Sequence, residues 1–209
     1  MRQVLIYVSV LLVSALATPG LAQVEGTRSS TPGDKTIQDS ALGIAFVENG
    51  RVEKHTSTGY TIAFQGADAT MRDATAQILV TTKPFVDLPG SFGGKLYLDT
   101  PEAKRLSKDI VKVDSVVVGS LHFRREYWAV YAGMGAWEGV INCTASGNSE
   151  YYVLSLHVDL SLGKPGEVQG GGKLDVDGLE KRAVGILSNP ESPVIREFQT
   201  MVLSFRVVE

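Results

Sequence analysis

The sequence predicts an α+β domain: an antiparallel β-sheet of five to seven strands packed with helices. Two patterns carry this prediction, a period-two alternation through the middle of the chain and apolar stripes at helical spacing after Thr-Pro and Ser-Pro starts. Composition agrees with it. The 209 residues are 44% apolar, 21% charged and 8% aromatic, which excludes a disordered tail, a collagen repeat and a disulfide-stapled miniprotein. A chain of this length buries about two-thirds to three-quarters of its unfolded surface. Twenty Lys and Arg stand against 23 Asp and Glu, for a net charge of −3, so no basic field draws in nucleic acid.

The N-terminus reads as a targeting segment. Arg2 precedes an apolar run from Val4 to Ala17, then Pro19-Gly20 and the small-residue pattern Gly20-Leu21-Ala22. This is the layout of a secretory signal peptide over residues 1–22, cleaved after Ala22 or, as the alternative, after Ala17. The run falls short of the roughly 18 to 20 residues that span a bilayer, and every later apolar run is cut by charge, Gly or Pro. An exported protein, periplasmic or extracellular and not membrane-spanning, is therefore expected. Loss of Arg2 leaves 19 cations against 23 anions, a mature charge of −4. Cys143 is the single cysteine, so no intramolecular disulfide can form in an oxidising compartment. Within Val140–Thr144 it reads as a small buried hydrophobe. Asn142-Cys143-Thr144 also spells a glycosylation sequon, but inside a strand.

Residues 23–40 are rich in Gly, Ser and Thr and read as a flexible leader, followed by a single domain over 41–209. Leu42–Phe46 has strand chemistry, and Asn49-Gly50 is a tight-turn signal that predicts a hairpin. Tyr60–Phe64 and Ile78–Thr82 are further short strands, and Pro89–Gly94 is a loop. Thr100-Pro101-Glu102 opens a predicted helix with Ala103, Leu106, Ile110 and Val113 on one stripe. Leu121–Tyr131 changes to period two and, with Trp137–Ala145 and Tyr151–Asp159, predicts three consecutive antiparallel strands, with Tyr152, Leu154, Leu156 and Val158 facing the core. Residues 162–178 are a Gly-rich loop. Ser192-Pro193 caps a final helix carrying Val194, Ile195, Phe198, Met201, Val202 and Phe205, expected to pack on one face of the sheet.

Most catalytic patterns fail on spacing. Ser155, His157 and Asp159 supply the residue types of a hydrolase triad, but at i, i+2 and i+4 of one strand they stand parallel and about 7 Å apart. His55, His122 and His157 share no metal-ligand spacing. Gly133-Met134-Gly135-Ala136-Trp137-Glu138-Gly139 joins two strands and not a strand to a helix, as a dinucleotide site requires. Gly170-Gly171-Gly172-Lys173 lacks the first Gly and the Ser/Thr of a phosphate loop. Lys104, Lys108 and Lys112, with Arg105 beside them, form a row on the predicted helix that reads as a solvated outer face or, as the alternative, as a surface for an anionic partner. No cofactor or metal is implied.

The strand Ala41-Leu42-Gly43-Ile44-Ala45-Phe46, the run Phe123-Arg124-Arg125-Glu126-Tyr127, the strand Tyr151-Tyr152-Val153-Leu154 and the closing Phe198-x-x-Met201-Val202-Leu203-Ser204-Phe205-Arg206 together resemble the PsbP-like superfamily, in its small secreted bacterial members. The similarity spans about residues 41 to 207. It implies an α/β/α sandwich and a non-enzymatic binding or accessory role, and transfers no catalytic residue.

The function expected is thus a binding or accessory protein. The alternatives are a hydrolase or transferase whose site assembles only in three dimensions, and a carrier of small apolar ligands. If a protein partner binds, it is expected on the 121–131/137–145/151–159 side of the sheet; the alternative is that a helix or the 162–178 loop covers Trp128. There Arg124, Glu126 and Trp128 share one face of their strand, and Tyr151 and His157 share a face of theirs. Substrate, partner identity and oligomeric state are not encoded in any pattern found.

Overall fold

The computed structural model describes residues 23–25, 35–64, 70–87, 95–97, 110–133, 136–162 and 176–208. In chain order the strands are β1 (Gln23–Glu25), β2 (Lys35–Asp39), β3 (Ile44–Glu48), β4 (Arg51–Thr56), β5 (Gly59–Ala63), β6 (Met71–Thr81), β7 (Phe85–Asp87), β8 (Lys95–Tyr97), β9 (Ile110–Val118), β10 (Leu121–Gly133), β11 (Ala136–Ser146) and β12 (Tyr151–Leu160). Helices α1 (Val176–Leu187) and α2 (Pro193–Ser204) follow, and β13 (Arg206–Val207) ends the series.

The large sheet runs β1-β9-β10-β11-β12-β6-β5-β4. Seven of its strands are antiparallel neighbours, as the alternation predicts, and β1 adds in parallel beside Ser115–Val117 at the β9 edge. A small sheet, β13-β3-β2, and a two-strand ribbon, β7-β8, complete the strands. Tyr152, Leu154, Leu156 and Val158 are buried on the first face with Phe123, Tyr127, Ile141 and Cys143. Both described helices pack over that face, α1 against β9, β10 and β11 and α2 against β3, β6 and β9. No described helix is long and apolar enough to cross a membrane.

The α2 stripe is buried at Val194, Ile195, Phe198, Met201 and Val202, with Pro193 in the first turn and the Ser192 hydroxyl accepting the Ile195 N–H at 3.4 Å. These are the cap and the periodicity that the sequence shows. Phe205, just past the helix, meets Phe123 edge-on at 5.8 Å and Tyr152 at 5.3 Å, locking the helix end to the large sheet.

Four local expectations change. The leader predicted over 23–40 contributes β1 and β2, the latter paired with β3 from Lys35↔Glu48 to Asp39↔Ile44. Pairing with β3 satisfies a backbone that its own polar side chains cannot order. Asn49-Gly50 does not close a hairpin, because β3 and β4 belong to different sheets; the turn passes the chain between them. A Cβ on Gly50 would come within 2.7 Å of the Ala63 carbonyl oxygen, so close approach explains the glycine. The helix predicted over 100–113 ends in a strand: Ile110 and Val113 belong to β9, paired with Trp128 and Glu126. The β-branched run through Val118 overrides the 3.6-residue stripe there, and the earlier part, with Lys104, Arg105 and Lys108, lies outside the described residues. Finally, α1 begins in the predicted loop at 176. Two internal glycines hide its stripe of Leu179, Ala183 and Leu187, which are buried.

Residues 1–22, read from sequence as a signal peptide, and the Pro89–Gly94 and Gly170–Lys173 runs, read as loops, also lie outside the described residues.

Candidate functional site

The second face of the large sheet holds the residues nominated from sequence. Registers set them in rows. Glu126 of β10 faces Asn142 of β11, which faces Ser155 of β12, which faces Gln77 of β6. In the next row Trp128 faces Val140, then His157, then Thr75. Cross-strand partners hold their Cβ atoms about 5 Å apart, so Glu126, Asn142, Ser155 and Gln77 form one polar stripe across four strands, with Trp128 and His157 in the row beside it.

The stripe is inside the protein. Ser155 is 0% exposed, Asn142 1%, Trp128 2% and Glu126 3%. The described part of its cover is Phe85 of β7, which clusters with Leu79 and Val153 on this face. Glu126 accepts a charge-assisted hydrogen bond from Arg124 Nε at 2.7 Å, and Asn142 Nδ2 donates to Thr144 Oγ1 at 3.0 Å. Trp128 Nε1 beside the stripe and Asn142 Oδ1 and Ser155 Oγ within it are enclosed with no partner among the described residues. One is a donor, one an acceptor and one either. Each unsatisfied buried group costs about 1 to 3 kcal/mol.

The structure divides the nominated set. The Arg124 side chain is 59% exposed, while Tyr151 and His157 are half-buried. Trp128 and Glu126 cannot form an exposed partner surface, because the chain itself covers them. Tyr151 pairs with Ser146 and Thr81, two rows away from Ser155. Ser155, His157 and Asp159 run from fully buried to exposed along one strand, as their parallel spacing requires.

Asn142 and Ser155 are the members that sequence reading missed. Their signal is a polar residue at each outward position opposite core neighbours, in two strands paired in register. Asn142 also fails as a sequon, since its amide is buried and bonded to Thr144. No group of three or more His, Cys, Asp or Glu positioned to hold a metal occurs among the described residues.

No protein-family model matches the chain, and no curated protein does. Among solved structures the chain is similar to the crystal structure of the Ran-binding protein Mog1p of Saccharomyces cerevisiae. The TM-score is 0.46 at 12% identity, covering 84% of this chain and 96% of Mog1p. It is also similar to the solution structure of the cyanobacterial PsbP, CyanoP, from Synechocystis sp. PCC 6803. There the TM-score is 0.37 at 10% identity, covering 87% of this chain and 98% of CyanoP. Likeness at this level carries no residue role from either protein to this chain.

Proposed function

We propose that the chain is an exported binding protein with no chemistry of its own, and that the buried polar stripe is its recognition site. The observation that carries this reading is the set of enclosed atoms, Trp128 Nε1, Asn142 Oδ1 and Ser155 Oγ, that no described residue satisfies. Folding disfavours such groups, and breaches of local rules of this kind persist where function needs them. The fitting ligand is a small neutral molecule with a hydrogen-bond donor beside an acceptor, of the amide, urea or polyol class. Glu126 makes no call for a cation, being held by Arg124.

A hydrolase reading has less support. Ser155 stands opposite Asn142 and Gln77, neither of which is a base able to activate a hydroxyl. An apolar carrier fits poorly with a polar stripe. A protein partner would meet this face at its exposed end, where Arg124 stands.

Native mass spectrometry of protein purified from its own host tests the reading. A bound neutral small molecule is expected, and a paired Ser155→Ala/Asn142→Leu variant that stays folded should lose it. A ligand-free mass, together with a crystal structure showing only water against the three atoms, would overturn the assignment. The same mass measurement checks export, which predicts a mature chain beginning at Gln23.

A further inference from the structure

On the opposite, first face, the seam between β9–β11 and α2 leaves a partly open cavity of about 90 Å3. Arg125, Tyr127, Ile141 and Cys143 line it from the sheet, and Phe198 and Val202 from the helix. Its wall is therefore apolar apart from one guanidinium, one phenol, one thiol and the amide of Gln199.

The charges beside it do not cancel. Asp114, 7% exposed, accepts from Arg125 Nε at 2.6 Å and Nη2 at 3.0 Å. Lys112 Nζ lies 3.5 Å from the same carboxylate and 4.7 Å over the Tyr127 ring. Among the described residues two cations thus share one anion, an excess of one positive charge. Two described acids near this seam face elsewhere: Glu126 is paired with Arg124 on the far face, and Glu197 of α2 lines a separate groove with Lys35 and Glu48. Burial holds the Tyr127 phenol above its ordinary value and pushes the Cys143 thiol up to about 12, so both stay neutral. Arg125 has five N–H donors, of which Asp114 takes two, leaving three for a second acceptor.

We infer that this seam is a binding site for a short aliphatic monocarboxylate, its carboxylate on Arg125 and its chain against Ile141, Cys143, Phe198 and Val202. Size sets the chain length. A dry cavity of about 150 Å3 takes a benzene ring, so this one takes about three or four carbons. The inference is independent of the polar stripe, which lies on the other face.

Titration of the purified chain with acetate, propionate, butyrate and hexanoate, followed by 1H–15N NMR at matched ionic strength, tests it. Saturable shifts around Arg125, Cys143 and Phe198 are expected, with Kd in about the millimolar range for so few atoms. Affinity should rise about fourfold per methylene up to butyrate and fall for hexanoate. Butyramide, the uncharged isostere, should bind at least about tenfold more weakly. Cys143→Leu fills the cavity and should abolish butyrate binding in a folded protein. If that variant does not fold, the wild-type series decides alone. No saturable shift with any carboxylate, equal binding of butyramide, or unchanged butyrate binding by folded Cys143→Leu would overturn the inference.

Discussion

Two single residues separate what a buried polar group costs from what a buried ring supplies. Ser155 is fully enclosed with its hydroxyl unpartnered, so Ser155→Ala removes a desolvated group and breaks no hydrogen bond. The variant should be as stable as the parent or more stable by up to about 1 kcal/mol, read from urea unfolding. Trp128 lies one row away and is 2% exposed. Trp128→Ala empties a ring-sized volume and should cost about 3 to 5 kcal/mol. An unchanged melting temperature in that variant would mean that the ring is not packed inside its own chain.

At the scale of elements, one turn determines whether the β4–β5 hairpin can join the sheet. Gly59 has φ +155°, and a Cβ there would sit 1.9 Å from the Ile78 carbonyl oxygen and 3.0 Å from the Leu79 Cα. Both contacts are backbone of β6, and no rotamer relieves them. Gly59→Ala should therefore unseat β4 and β5 from β6, seen as loss of amide protection across Tyr60–Ile62 in hydrogen exchange. The cap of α2 is a smaller matter. Ser192→Ala forfeits the bond to the Ile195 N–H and should cost about 1 kcal/mol in urea unfolding.

Across the whole molecule, one side-chain cluster ties the small sheet to the large one. Asp39 Oδ1, on β2, accepts the N–H groups of Ala41 at 2.9 Å and Leu42 at 3.0 Å. Its Oδ2 accepts the Tyr60 hydroxyl of β5 at 2.8 Å and lies 2.9 Å from His55 Nε2 of β4, whose ring stacks on Tyr60 at 4.3 Å. The Tyr60 hydroxyl, with the backbone N–H groups and His55, holds the Asp39 carboxyl below its usual range. A depressed carboxylate stabilises the fold above its unfolded value, about pH 4, and that contribution is lost as pH falls through the folded value. Burial and Asp39 push the Tyr60 hydroxyl up to about 12. Its contribution is therefore complete below its ordinary value of 10.0 and lost as pH rises from there through about 12. Melting temperature against pH should fall on both limbs, and Tyr60→Phe should flatten both. A Tyr60→Phe curve identical to that of the parent would show that the cluster does not join the sheets.

The order of strands β10, β11 and β12, their core-facing residues and the capped final helix were legible because each rests on local periodicity and cap chemistry. Period two from Leu121 to Asp159 and Ser192-Pro193 before an apolar stripe have few competing explanations. Where the sequence and the structure part, a long-range pairing prevails over a local signal. The β3 strand orders Lys35–Asp39, which has no apolar core of its own, and β10 recruits Ile110 and Val113 into β9 against their helical spacing. The candidate site divides in the same way. Alternation alone assigned Glu126, Trp128 and His157 to outward positions, but whether an outward face meets water or protein depends on what packs over it. Register, which brings Asn142 and Ser155 beside Glu126, and the covering of that face are properties of four strands and a ribbon at once, and no single stretch of chain encodes them.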